Sequence, residues 1–462
     1  MRLISLIFMA AWLLSAQTDQ IQSHGIRAHV RFLASDLLEG RGPGSRGGDL
    51  AEAYIASQFE AAGLKPAGEG GGYFQTTPLK TVEVLPGMKL SVRSKEKTID
   101  FRWLDDYVGT STAQLPEAAF SSEVVFAGHG IQAPEFGWND YAAVDVRGKA
   151  VLLFTNEPPS EDPKFFKGKA LTYYGRWTYK YEEAARQGAA AVLIIHTTPT
   201  ASYGWQVLRA NGRPQVQIRR QKDAPGLPFA GWVTEEAGAR ILALAGMTVE
   251  SALAAAGRRG FKPFTLPGVV LSGAFRFGLK DTEARNVLGK VEGADLNSEA
   301  VIFSAHHDHL GVGEAVGGDA IYNGAIDNAT GCALLIEMAR AWASLEPKPR
   351  RTAIFAAVTA EESGLLGAKF LAQNLPVPAG RITANLNFDS YAPYGRVRDA
   401  VLTGADRTTL WPTVEAVAER HQLKLKLDPR PEAGSYYRSD HFAFAQEGIP
   451  AFSVNMGSEY IG

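Results

Sequence analysis

Apolar positions recur with two different periods along this chain, and the change of period separates predicted helices from predicted strands. Residues 24–64 follow a helical spacing, with one apolar stripe from Ile26 to Leu33 and another from Leu50 to Phe59. The glycine-rich stretch 40–48 between the stripes lacks the Gly-Lys-Ser/Thr ending of a phosphate-binding loop. We therefore interpret it as a connector, followed by short strands and turns over residues 71–118.

A second block runs from residue 119 to residue 263. Its apolar runs predict strands at 124–127, 150–154 and 190–195, and a helical spacing predicts a helix at 180–187. The block contains histidines but no clustered pattern of metal ligands. We interpret it as a structural or binding module rather than the site of chemistry.

From about residue 284 the chain alternates apolar strands with amphipathic helices. The predicted strands are 287–291, 300–305, 352–359, 384–388 and 451–454, and the predicted helices are 328–344, 365–373 and 410–419. This alternation predicts an α/β fold with a mostly parallel, helix-covered sheet. In such sheets, ligands bind beyond the carboxyl ends of the strands.

Metal-binding residue types follow these strands. His306 follows one predicted strand, Glu361 and Glu362 follow the next, and Asp389 follows a third. Two more candidates are placed near the same edge, namely Asp327 just before a helix and His441 before the last strand. We expect His306, Asp327, Glu362, Asp389 and His441 to converge as metal ligands.

Imidazole and carboxylate ligands without thiolates favour Zn2+, with Mn2+ or Co2+ as other occupants. Two ions need a bridging carboxylate, for which Asp327 is the candidate. One ion would take His306 and Asp389, and the other Glu362 and His441. Glu361 is then the expected general base, because its neighbour is committed to a metal. Asp308 is suited to hold the second ring nitrogen of His306.

Composition and charge narrow the function classes. The 462 residues carry 47 Lys+Arg against 49 Asp+Glu, a formal net charge of -2 with no basic block. This balance disfavours nucleic acid as a partner. Cys332, the one cysteine, lies in an apolar helical stretch and is expected in the core.

The first sixteen residues have the composition of a secretory signal. Met1-Arg2 precede a twelve-residue apolar run, 3–14, and the small residues Ser15 and Ala16. The run is short for a membrane span, so we expect cleavage near Ala16 and a secreted or periplasmic protein without a membrane span. An uncleaved N-terminal anchor is the alternative.

Five motifs then resemble the ordered series of the M28 zinc metallopeptidases. They are Ala305-His-His-Asp-His-Leu-Gly311, Asn323-Gly-Ala-Ile-Asp-Asn-Ala-Thr-Gly331, Thr359-Ala-Glu-Glu-Ser-Gly-Leu-Leu-Gly367, Asn387-Phe-Asp389 and Ser439-Asp-His441. The resemblance implies a zinc exopeptidase fold of the phosphorylase/hydrolase-like type over 24–118 and 264–462. It also implies a smaller protease-associated domain inserted at 119–263. The family's roles carry over to the same five ligands, with Glu361 as base and Asp308 as the ligand-orienting residue.

Two departures from the family pattern concern Ile326, where relatives often have a second aspartate, and the chain end at Gly462, where relatives usually continue.

The expected function is a di-zinc exopeptidase acting on peptides, most simply an aminopeptidase. The alternatives are a glutamate-carboxypeptidase-like enzyme, a glutaminyl-cyclase-like enzyme with one zinc ion, and a non-catalytic peptide-binding ectodomain. The oligomeric state is left open.

Overall fold

A computed structural model describes residues 20–201, 203–209, 212–392 and 394–461. The predicted signal segment 1–16 therefore lies outside the described residues. The chain divides into two compact units. One takes the chain up to Pro78, Glu283–Pro429 and the part from Arg438 onward, and the other takes Leu79–Thr282 and Arg430–Tyr437.

The helices and strands are numbered here in chain order. The helices are α1 (Ser23–Leu33), α2 (Arg46–Ala61), α3 (Trp177–Arg186), α4 (Thr198–Ala201), α5 (Trp205–Arg209), α6 (Glu235–Ala243), α7 (Val249–Ala256), α8 (Thr330–Ala343), α9 (Leu366–Gln373), α10 (Trp411–Arg420) and α11 (His441–Gln446). The strands are β1 (Lys65–Pro66), β2 (Phe74–Val84), β3 (Lys89–Arg93), β4 (Thr98–Phe101), β5 (Tyr107–Thr110), β6 (Glu117–Phe126), β7 (Gln132–Ala133), β8 (Trp138–Asn139), β9 (Ala150–Phe154), β10 (Ala191–Ile195), β11 (Gln215–Ile218), β12 (Phe229–Val233), β13 (Phe264–Val291), β14 (Leu296–His306), β15 (Gly311–Val316), β16 (Asp319–Tyr322), β17 (Arg351–Val358), β18 (Ile382–Phe388), β19 (Asp399–Thr403), β20 (Lys424–Lys426) and β21 (Ala451–Met456).

The first unit is built on a sheet whose centre is parallel. β14 pairs in parallel with β17 on one side and with β18 on the other, and β18 pairs in parallel with β21. Antiparallel strands flank this centre, since residues 287–291 of β13 pair with β17 and β19 pairs with β21. The predicted α/β class with a mostly parallel sheet is confirmed.

Both faces of this sheet are buried, and the alternation of side chains along each strand divides the core. Phe303 and Phe355 pack on one face with residues of α1, α2 and α8, including Leu33 and Leu335. Ile302, the neighbour of Phe303, packs on the other face with residues of α9 and α11. Apolar side chains on both faces explain why these strands are continuous apolar runs in the sequence.

Most predicted elements of this unit are observed with ends shifted by one or two residues. The helix predicted at 328–344 instead begins at Thr330, because Asp327 and Asn328 adopt non-helical backbone angles in a short turn before it. Cys332 is buried, as expected. The short hairpin of β15 and β16 has too little apolar periodicity to be predicted.

The second unit has a mixed sheet of its own. β6, β9, β10 and β12 form consecutive parallel pairs, and β5 pairs antiparallel with β12. β3 and β6 both pair antiparallel with β13 through residues 264–276. These pairings bring β3, β4 and β5 into the unit, which thus begins before the predicted insertion 119–263 and ends after it. The protease-associated type of this block stays a prediction.

The second unit buries several charged and polar side chains. Lys180 is fully buried and donates hydrogen bonds to the carbonyl oxygens of Asn156 and Tyr174 at 2.7 and 2.6 Å. His129 is also buried, with Nδ1 3.1 Å from the carbonyl oxygen of Thr155. Burial and then the positive charge of Lys180 lower the pKa of His129 to about 3.

Among the described residues, none of the helices combines the length and the apolar character that crossing a bilayer requires.

The buried imidazole predicts acid sensitivity. The unfolded chain binds a proton at His129 near pH 6.5 and the folded chain only near pH 3, so the free energy of unfolding should fall as the pH falls between these values. In His129→Gln, the slope of unfolding free energy against pH should be shallower by about 1.4 kcal/mol per pH unit, the contribution of one proton. Urea unfolding at several pH values measures the slopes. The exposed control His24→Gln should behave as wild type, and an unchanged slope in His129→Gln would contradict the prediction.

Candidate metal centre

Three neighbouring parallel strands deliver the candidate ligands to one edge of the first unit's sheet. β14 ends at His306, β17 ends shortly before Glu361, and β18 ends directly before Asp389. The register places His306 opposite Val358 on β17 and Ser304 opposite Asn387 on β18. Because the strands run in the same direction, the segments that follow them lie at the same carboxyl edge.

The first group of donor atoms comprises His306, Asp327 and Asp389. Nε2 of His306 lies 3.1 Å from Oδ1 of Asp327 and 3.4 Å from Oδ1 of Asp389. The three ligand atoms lie within 4.8 Å of one another. His306 is buried, whereas the Asp327 side chain is nearly half exposed.

A second group shares Asp327 with the first. It comprises His309, Asp327 and Glu362, whose ligand atoms also lie within 4.8 Å of one another. Nδ1 of His309 is 2.6 Å from Oε1 of Glu362. Asp327 therefore stands where a carboxylate bridging two ions would have to stand.

The expected ligand His441 is not part of either group. It is the first residue of α11 and is fully buried. Among the described residues, neither group of donor atoms includes it. The structure thus brings together His306, Asp327, Asp389 and Glu362 as expected ligands and adds His309.

Asp308 lies near His306, the residue that it was expected to orient, and also contacts Glu361. Its carboxylate accepts a hydrogen bond from the backbone N–H of Glu361 at 3.0 Å. Nδ1 of His306 is 3.2 Å from the main-chain carbonyl oxygen of Asp308 and 3.7 Å from its carboxylate. The carbonyl is therefore the nearer partner of the ring, and the side chain fixes the backbone at Glu361.

A directed chain of hydrogen bonds holds Asp389. Oγ of Ser304 donates to Asn387, Nδ2 of Asn387 donates to Ser439 at 2.7 Å, and Oγ of Ser439 donates to Oδ2 of Asp389 at 2.6 Å. Ser390 donates to the other oxygen of Asp389 at 2.9 Å. Both carboxylate oxygens are thereby oriented by hydroxyl groups.

Arg41 ties together the two loops that carry the donor groups. The residue is buried, and its Nε donates to the carbonyl oxygen of His307 at 2.8 Å. Its terminal nitrogens donate to the carbonyl oxygens of Asn323 and Gly324 at 2.7 and 2.9 Å, and also to that of Leu33. One guanidinium group thus fixes the loop that follows β14 against the loop that precedes Asp327.

The centre concentrates negative charge. Burial raises the pKa of Asp308 to about 6, and burial together with neighbouring carboxylates raises the pKa of Glu361 and of Asp440 well above the ordinary range. Burial works against the charged form of His306, but the surrounding carboxylates raise its pKa well above the usual value. For Asp389, burial is likewise outweighed, and the charge of His306 with the hydroxyl hydrogen bonds lowers its pKa to about 2.

These residues fit a pair of divalent cations. Oδ1 of Asp327 and both carboxylate oxygens of Asp440 are buried and make no hydrogen bond within the described chain. Buried carboxylate oxygens without a hydrogen bond cost free energy unless a proton or a cation neutralises the group. The donor atoms of both groups are nitrogen and oxygen. The sulfur atom of Cys332 belongs to neither group, and its thiol donates to the carbonyl oxygen of His306, 3.1 Å away. That donor chemistry suits zinc.

Sequence reasoning missed three residues of this centre. His309 is absent from the predicted ligands, although it lies only three positions after His306 in the same loop. Ser439 stood in the recognised Ser439-Asp-His441 motif without a role. Arg41 lies 266 residues from its partner His307, and nothing in the glycine-rich stretch indicated that it reaches the centre.

Comparisons with known proteins agree with this chemistry. The family profile described as Peptidase family M28 matches residues 286–460. A "Probable zinc metalloprotease" of Pyrenophora tritici-repentis is 36% identical over 104 residues, 22% of this chain and 21% of that protein. The "Leupeptin-inactivating enzyme 1" of Streptomyces exfoliatus is 28% identical over 176 residues, 38% of this chain and 36% of that protein. The chain thus matches about a fifth to a third of the length of these relatives.

The fold also resembles a solved structure along most of its length. The aminopeptidase from Aneurinibacillus sp. strain AM-1 superposes with a TM-score of 0.55 and 20% sequence identity, covering 96% of this chain and 87% of that one. At this level of identity the similarity establishes the fold.

The hydrogen bond from Ser439 to Asp389 predicts an effect on metal binding. In Ser439→Ala, Asp389 loses the donor that fixes its Oδ2 atom, and zinc affinity should fall by about 10- to 100-fold, as for other residues that orient ligands. Competition with a chromophoric chelator measures the affinity. The control Ser57→Ala removes an exposed hydroxyl that bonds only the carbonyl oxygen of Tyr54 and should bind zinc as wild type does. Equal affinities for all three proteins would refute the orienting role.

Proposed function

We propose that this chain, a metallopeptidase whose residues 286–460 are a domain of peptidase family M28, is a di-zinc exopeptidase that removes residues from the N-termini of peptides. The observation that carries the proposal is the pair of donor groups that share Asp327. Two groups with one common carboxylate are the arrangement that co-catalytic metal sites require.

The proposed ligands combine the family pattern with this geometry. His306 and Asp389 would hold one ion, Glu362 and His441 would hold the other, and Asp327 would serve both. Support for His306, Asp389, Glu362 and Asp327 comes from their positions within the two donor groups. His441 is proposed on the motif that contains it and on its burial beside Ser439, which bonds Asp389.

When bound, zinc ions polarise a substrate carbonyl group and lower the pKa of water. The chain contributes the proton transfers. Glu361 is the proposed general base, taking a proton from the attacking water and delivering it to the leaving amine. Its carboxylate stands among Asp440, Asp389 and Glu362, whose charges add to burial in raising its pKa. A carboxylate in that environment binds a proton readily and is held in place through the backbone contact with Asp308.

A buried cationic side chain beside the centre, Arg41, is committed to the protein's own carbonyl groups. A carboxypeptidase needs a cation for the free carboxylate of its substrate. Arg41 is buried, and its N–H groups are engaged by carbonyl oxygens of Leu33, His307, Asn323 and Gly324. The Arg41 guanidinium group therefore binds the protein's own backbone. The superposed solved structure is itself an aminopeptidase.

Three further parts of the proposal rest on the sequence. The block 119–263 is proposed as a protease-associated domain, on its resemblance to such insertions. The apolar run 3–14 supports export to the periplasm or the exterior. The substrates are proposed to be peptides, because the matched family consists of peptidases.

Replacing the proposed base separates proton transfer from metal binding. Glu361→Gln keeps the size of the side chain and removes its basicity, so turnover should fall by about 100-fold or more while the zinc content is unchanged. Peptidase assays with elemental analysis of the same samples measure both. Glu60→Gln, at an exposed position of α2, should match wild type. Wild-type turnover by Glu361→Gln would reject the role.

The direction of cleavage is tested with three versions of one peptide. An aminopeptidase needs a free amine, so hydrolysis should occur with the free and the carboxy-blocked peptide and should be lost with the amino-blocked one. Chromatography of the products identifies the bond that is cut. Cleavage of the amino-blocked peptide alone would favour a carboxypeptidase. Binding that survives chelation, with no hydrolysis of any peptide, would favour a non-catalytic binding protein.

A further inference from the structure

We propose that His309 is itself a zinc ligand, which binds the second ion together with Asp327 and Glu362. This inference rests on the proposed di-zinc function and adds a ligand that the motif series does not assign. In the expected ligand set, the second ion takes its imidazole from His441. The geometry adds an imidazole from the loop after β14.

The first argument is the convergence of three donor atoms. Nδ1 of His309 lies 2.6 Å from Oε1 of Glu362, and one ligand atom each of His309, Glu362 and Asp327 lies within 4.8 Å of the other two. Donor atoms around one tetrahedral zinc ion stand about 3.4 Å apart, since each is about 2.0–2.2 Å from the metal, so this cluster needs only a small separation of the imidazole nitrogen and the Glu362 oxygen to enclose an ion. A histidine that only packed against the centre would not need its nitrogen in the same small volume.

The second argument is the kind of contact that His309 makes. Its Nδ1 is buried and makes no hydrogen bond within the described chain, despite the short distance to Glu362. The two atoms are therefore close without the alignment that a hydrogen bond requires. A buried nitrogen and a carboxylate oxygen that are close without a hydrogen bond between them could both bind one cation.

The third argument is that the backbone holds this imidazole in place. The N–H of His309 donates to the carbonyl oxygen of Arg41 at 3.3 Å. Gly324 adopts a left-handed conformation, with φ of +60°, and a Cβ atom there would lie 2.6 Å from Cγ of His309. The ring thus packs directly on the backbone of the loop that leads to Asp327. Arg41 fixes the same two loops by its side chain.

The test replaces His309 and counts the metal. Wild type should bind two zinc ions per chain. His309→Ala should lose one of them or bind it more than about 100-fold more weakly, which exceeds the usual cost of removing a residue outside the coordination sphere. Elemental analysis gives the stoichiometry and chelator competition gives the affinity. His24→Ala, which removes an exposed imidazole far along the chain, is the matched control and should bind both ions normally.

A second variant tests direct contact and does not depend on the stability of the first. In His309→Cys loaded with Co2+, a thiolate-to-cobalt charge-transfer band should appear that is absent from wild type, whose one cysteine bonds a carbonyl oxygen. Two tightly bound zinc ions in His309→Ala, an affinity loss within 100-fold, or a His309→Cys spectrum equal to wild type would each overturn the assignment. Wild-type protein without zinc would instead refute the proposed di-zinc function.

Discussion

The repulsion among carboxylates at one edge of a sheet is the constraint on which the rest of this unit depends. Asp308 and Asp440 are buried, and Asp389 is largely buried. Both carboxylate oxygens of Asp440 make no hydrogen bond within the described chain. In water such groups would separate. Here the protein holds them together, at a cost in free energy that His306 offsets only in part and that divalent cations would remove.

The surrounding structure is suited to resist that repulsion. The parallel strands are apolar on both faces and covered by helices, so the edge that carries the ligands is rigid. Beyond the strand ends, hydrogen bonds hold the loops and the candidate ligands in place. Ser439 fixes Asp389, Asp308 fixes the backbone of Glu361, and Arg41 joins the loops that carry His309 and Asp327. Donor atoms can then stay within a few ångströms of one another before any ion binds.

The strand ends were predictable from the sequence because continuous apolar runs mark strands buried on both faces, and parallel strands share a carboxyl edge. His306 and Asp389 follow directly from that rule. What could not be predicted depends on contacts between distant residues. Arg41 reaches His307 across 266 positions. The strands before residue 119 belong to the second unit because of their partners in β12 and β13, which no local pattern specifies. The role of His309 depends on loop geometry that sequence spacing leaves open.

X-ray diffraction data from crystals of the purified chain, collected on both sides of the zinc absorption edge, would test the central claim most directly. The claim predicts two anomalous peaks, one between His306 and Asp389 and one beside Glu362, with Asp327 contacting both. A map with no anomalous peak among these residues, from protein that still hydrolyses peptides, would contradict it.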